Sequence, residues 1–103
     1  MRVDAHFNGL TPAETERLDV MQEECAEVIS AIAKIKRHGY DSVSPTTLQN
    51  NRDHLAEELG HVLATLARLY KAGDVSEESV LGACQHKRLT GGKWLHHQPE
   101  FQL

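Results

Sequence analysis

At 103 residues the chain has room for one small domain, and its 40% hydrophobic, 25% charged composition is that of an ordinary soluble globular protein. A formal net charge of −4 argues against an electrostatic nucleic-acid binder, and no apolar run approaches membrane-spanning length. With one Trp, two Tyr and two Phe, the long apolar residues are mainly Leu, Val, Ile and Ala, a balance that favours helices over a β-sandwich.

Residues 1–10 read as an irregular lead-in without a signal-peptide core, and residues 11–103 as a single helical domain with a tail from about 91. Thr11-Pro12-Ala13-Glu14 is a helix start: threonine caps, proline suits the first turn, and Glu14 completes a capping box. Leu18, Met21, Cys25, Val28, Ile29, Ile32 and Ile35 then recur at helical spacing, up to a basic last turn and Gly39. Tyr40–Ser44 is a connector. Ser44-Pro45 is expected to open a second helix, running through Leu48, Leu55, Leu59, Val62, Leu63, Leu66 and Leu69 to Gly73. A third is expected from Ser76, with Glu77 and Glu78 in its first turn, until Gly91-Gly92 breaks it. The class is all-α, a helical hairpin plus a third helix. So short a chain leaves apolar faces open, which favours a homodimer or homotetramer that completes a four-helix-bundle-like assembly. Cys25 and Cys84 lie inside helical patterns and read as small buried residues in a reducing compartment, so the expected location is cytoplasmic.

The chemistry is in the acids. Glu24 and Glu27 are three apart on the first helix and border its apolar arc, with Glu23 beside them. On the second, Asn51, His54, Glu58 and His61 fall on one stripe. If the two helices pack antiparallel, the polar stripes face each other. Carboxylates converging in this way stay ionised when a divalent cation compensates them, and oxygen-rich sites suit Mg²⁺ or Mn²⁺. A solvated acidic helix face is the plain alternative, and pattern alone leaves the two about even.

The compound pattern Glu23-Glu24-Cys25-Ala26-Glu27 followed by Glu57-Glu58-Leu59-Gly60-His61 resembles the MazG-like all-α nucleoside triphosphate pyrophosphohydrolases. Their signature is Glu-x-x-Glu on one helix and Glu-x-x-Asp on the next. The likeness covers about residues 12–90 and is closest to compact, phage-type members, for which the host cytoplasm is the expected location. It implies that Glu24, Glu27 and Glu58 are catalytic ligands of Mg²⁺ or Mn²⁺, and that Glu23 is a further ligand or positions the attacking water. The implied reaction converts a (d)NTP to the (d)NMP and pyrophosphate, in the service of the dNTP pool, with dGTP or GTP as a candidate substrate from the phage-type branch. Lys87, supported by Arg88 or Lys93, would hold phosphate oxygens, Asn51 a sugar or base edge, and Trp94 a nucleobase. For Lys87 the alternative is an exposed helix lysine, and for Trp94 an anchor that packs the tail. No nucleic-acid or membrane partner is implied.

His61 departs from the signature aspartate. It leaves three readings open: activity with a shifted metal preference, loss of a second metal, or contact with substrate phosphate. Two competing functions also remain. Glu58-x-x-His61, doubled in a dimer, is the motif of di-iron carboxylate bundles. The non-enzymatic alternative is a helical interaction module with a merely solvated acidic stripe.

Overall fold

The computed structural model describes residues 7–98. Helix α1 spans Pro12–His38, α2 Asn51–Ala72 and α3 Glu77–Thr90, and a 3₁₀ turn follows at Gly91–Trp94. No strand occurs among the described residues, only an isolated antiparallel bridge between Val43 and Asn50. The all-α, three-helix architecture is as the sequence predicts. The chain divides into two units, one up to Leu69 and one from Tyr70 onward.

In the first unit, α1 opens with the expected capping box. The Glu14 amide donates to Thr11 Oγ1 at 3.1 Å, and the Thr11 amide donates to Glu14 Oε1 at 2.8 Å. It closes at Gly39, whose φ of 87° and ψ of 167° lie in a region essentially reserved for glycine. Asn51 and His61 on α2 then reach back to the C-terminal and N-terminal halves of α1 respectively, so the two helices run antiparallel.

The second helix starts later than Ser44-Pro45 predicts. Ser44 Oγ accepts the amides of Thr46 and Thr47, each at 3.3 Å, and Leu48 takes a left-handed φ of 60°. Hydroxyl-to-backbone bonds of this kind compete with helix formation. Residues 42–51 instead fold back on themselves through Ser44 N–H to Gln49 O and Asn51 N–H to Ser42 O, both 3.0 Å. The effective cap is Asn50, whose Oδ1 accepts the Asp53 amide at 2.8 Å.

Two faces are distinguishable on each helix of this unit. Along α1 Ala31 is buried, and the half-buried positions Val20, Met21, Glu24, Val28 and Ile35 share its face; along α2 the buried positions are Asn51, Glu58, Thr65 and Leu69. At about 100° per residue these stripes put Glu24 and Glu58 at the centre of the facing surfaces, not at their edge. Leu18, Ile29 and Ile32 on α1, with Leu59 and Leu63 on α2, remain exposed, Ile29 by 68% and Leu63 by 66%. Antiparallel helices turn in opposite senses when viewed down one axis, so both exposed arcs fall on the same side of the pair. Glu23, Glu27, His54 and His61 lie on the other side. The apolar periodicity of the sequence therefore merges two surfaces of α1: one that meets α2 and one that is exposed among the described residues. Cys25 belongs to the second, which corrects the expectation of burial. Its Sγ lies 3.8 Å from Met21 Sδ on the same helix, and both Cys25 and Cys84 are exposed.

In the second unit, Ser76 caps α3 by accepting the Ser79 amide at 3.1 Å, and Glu77, Glu78, Lys87 and Arg88 complement the helix dipole at its two ends. No helix among the described residues is long and apolar enough to cross a membrane.

Candidate active site

The antiparallel pairing brings one residue of α1 and two of α2 together. One ligand atom from each of Glu24, Glu58 and His61 lies within 4.8 Å of the others. His61 Nδ1 is 3.4 Å from Glu24 Oε2 and 3.6 Å from Glu58 Oε2. Glu58 and His61 share a face because they are three apart on a helix. Glu24 meets them because it occupies the centre of the α1 surface that faces α2.

Glu58 is the most constrained of the three, with 8% of its surface exposed. A carboxylate this deep needs compensation. It has imidazoles on both sides: His54 Nε2 lies 3.5 Å from its Oε1, and His61 Nδ1 approaches its Oε2. These separations exceed the roughly 2.7–2.9 Å of a charge-assisted hydrogen bond. The two His61 separations are also compatible with donors around a common ion, since bonds of about 2.1 Å place neighbouring ligand atoms roughly 3–4 Å apart. Two carboxylates and an imidazole form a donor set suited to a small divalent cation, and the residues present fit one.

Glu27 and Glu23 are exposed on the polar side of α1 and stand outside this three-residue group. Asn51 is 4% exposed, and its amide donates to Gly39 O at 2.9 Å, tying the start of α2 to the end of α1. The neighbouring Glu57 turns away to accept from Gln49 Nε2 at 2.8 Å. His54 is a site residue that sequence reasoning placed on the α2 stripe without a role. The signal available was its four-residue spacing from Glu58. In the second unit, Lys93 Nζ lies 5.1 Å from the centre of the Trp94 ring, and Trp94 is 69% exposed.

Comparison with known proteins adds the chemistry. No curated protein and no solved structure matches the chain. Residues 13–90, however, match the family model of the MazG nucleotide pyrophosphohydrolase domain. That span contains both acidic helices and the whole Glu24–Glu58–His61 group, and it favours nucleotide hydrolysis over the di-iron and interaction-module readings. The chain therefore belongs to the MazG nucleotide pyrophosphohydrolase family, enzymes that hydrolyse the phosphoanhydride bonds of nucleoside triphosphates.

Proposed function

We propose that this protein is a divalent-metal-dependent pyrophosphohydrolase that converts a (d)NTP to the (d)NMP and pyrophosphate at the site centred on Glu24, Glu58 and His61. The convergence of these three donors from two helices carries the reading. Glu24 and Glu58 would hold the cation through oxygen and His61 through Nδ1, with Glu27, on the polar side of the same helix, as a further ligand. The chemistry such an ion supplies when bound is neutralisation of charge on the phosphate chain. Glu23 holds the attacking water and accepts its proton. The new bond forms between the water oxygen and the α-phosphorus, the α–β bridging bond breaks, and pyrophosphate departs with the bridging oxygen. His54 keeps the Glu58 carboxylate oriented towards the site. Lys87 and Lys93 are proposed as phosphate contacts and Trp94 as a base contact on the family resemblance, and dGTP is the first substrate to try on the same ground.

A homodimer or larger assembly is also part of this reading. Leu18, Ile29, Ile32, Leu59 and Leu63 form an uncovered apolar side on a two-helix unit whose buried apolar residues are Ala31 and Leu69. A second copy seated on this side would cover it.

The deciding experiment is anion-exchange analysis of products from the eight common NTPs and dNTPs with Mg²⁺ or Mn²⁺, using Glu24→Ala as control. Metal-dependent monophosphate and pyrophosphate that vanish in the variant are expected. Absence of turnover with every nucleotide in both metals would overturn the reading.

A further inference from the structure

Two adjoining depressions open in the first unit, where the C-terminal end of α1 meets the 42–51 turn and the start of α2. One, of about 360 Å³, is lined by Lys34, Arg37, His38, Ser44 and Asn51 among others. The second is lined by Lys34, Ser44, Asn51 and His54 among others. They share Lys34, Ser44 and Asn51. The second reaches His54, whose Nε2 lies 3.5 Å from Glu58 Oε1 in the metal-ligand group. Together they form one trough with a basic end at Lys34, Arg37 and His38 and, at its other end, His54, the neighbour of Glu58.

We infer that this trough is a diphosphate subsite, and that Lys34 and Arg37 receive the β- and γ-phosphates that leave as pyrophosphate. The inference rests on the pyrophosphohydrolase reading and assigns residues that the family signature does not include. Three observations carry it. No carboxylate lines either depression, although the chain as a whole is acidic. Neither Lys34 nor Arg37 enters any ion pair found among the described residues. The floor of the trough is rigid, because Asn51 is buried and its amide is bound to Gly39 O.

Basic residues at a helix C-terminus also complement the dipole. That explains Lys36, Arg37 and His38 as charges, but not why Lys34, a turn earlier, is half-buried along the wall of both depressions. The larger depression has room for a diphosphate with part of its hydration, since a water molecule takes roughly 30 Å³. Lysine as a point charge and arginine as a two-pronged donor are the usual partners of phosphate oxygens.

The test is calorimetric titration of the full chain with inorganic pyrophosphate in the presence of Mn²⁺. Wild type is compared with Lys34→Ala/Arg37→Ala and with Lys34→Arg. Mn²⁺ binding, followed by electron paramagnetic resonance, and thermal melting serve as controls. We expect the double variant to bind pyrophosphate at least tenfold more weakly with Mn²⁺ affinity and melting unchanged, and Lys34→Arg to stay within threefold of wild type. Pyrophosphate binding within twofold of wild type in the double variant, or no binding by wild type, overturns the subsite. Orthophosphate bound as tightly as pyrophosphate overturns its assignment to a diphosphate. Nucleotide turnover by the same wild-type sample separates the two claims. Turnover with an unaffected double variant removes the subsite and leaves the reaction standing. A weakened double variant without turnover keeps the subsite and removes the reaction.

Discussion

His61 Nδ1 stands 3.4 Å from Glu24 Oε2, the contact that joins the two acidic helices at the candidate active site. The position in α2 that carries an aspartate in the MazG signature is here an imidazole in direct reach of the α1 carboxylate. In the proposed site this substitution would lower the negative charge of the donor set by one and supply a nitrogen donor, which suits Mn²⁺ and softer ions better than Mg²⁺.

The metal preference should therefore follow residue 61. His61→Asp is expected to raise Mg²⁺-supported activity relative to Mn²⁺-supported activity by about tenfold, within the range of single-residue effects at metal sites. Measuring kcat/KM with each metal for both proteins checks this. An unchanged ratio would place His61 outside the ligand set.

Glu58 is the buried centre of the cluster, contacted by His54 and His61. Glu58→Gln preserves its shape and removes its charge. Activity should fall by at least about 100-fold, roughly 2.7 kcal/mol of transition-state stabilisation at 1.36 kcal/mol per tenfold. Mn²⁺ affinity measured on the same sample should fall with it. A variant that retains half the wild-type rate would exclude Glu58 as a ligand.

The bond from the Asn51 amide to Gly39 O locks the α1–α2 connection. Asn51→Ala removes a buried donor and should destabilise the fold by about 1 kcal/mol. That corresponds to a melting point lower by roughly 4–8 °C for a domain of this size, compared at one protein concentration because assembly contributes to stability. Asn51→Asp, which sets a carboxylate oxygen against the carbonyl, should melt no higher than the alanine variant. Calorimetry on the three proteins decides.

The exposed apolar side predicts the assembly state. Ile29→Glu/Leu63→Glu would put two charges into the surface proposed to meet a second copy. Sedimentation velocity should show wild type as a dimer or larger and the variant as a monomer. If wild type sediments as a monomer at micromolar concentration, the apolar side has some other partner.

Much of this molecule is legible in the chain without its coordinates. The capping box at Thr11–Glu14, the Ser76 cap and the stops at Gly39 and Gly73 depend on contacts a few residues apart, so local chemistry determines them. The same holds for Glu58 and His61, whose shared face follows from helical spacing alone. The start of α2 differs from the expected one because Ser44-Pro45 is as good a helix opening as Asn50, and only hydrogen bonds across the 42–51 turn decide between them. The tertiary structure also decided which apolar arc of α1 meets α2. Periodicity marks residues that avoid water but does not say which neighbour covers them, so it could not separate the α2-facing stripe of Val20, Val28 and Ala31 from the uncovered stripe of Leu18, Ile29 and Ile32. That choice moved Glu24 from the edge of the packed surface to its centre, left Glu27 outside the three-residue group, and set His54 beside Glu58. Residue type and spacing determined which side chains were available for metal chemistry; the azimuth at which two helices met determined which of them converged.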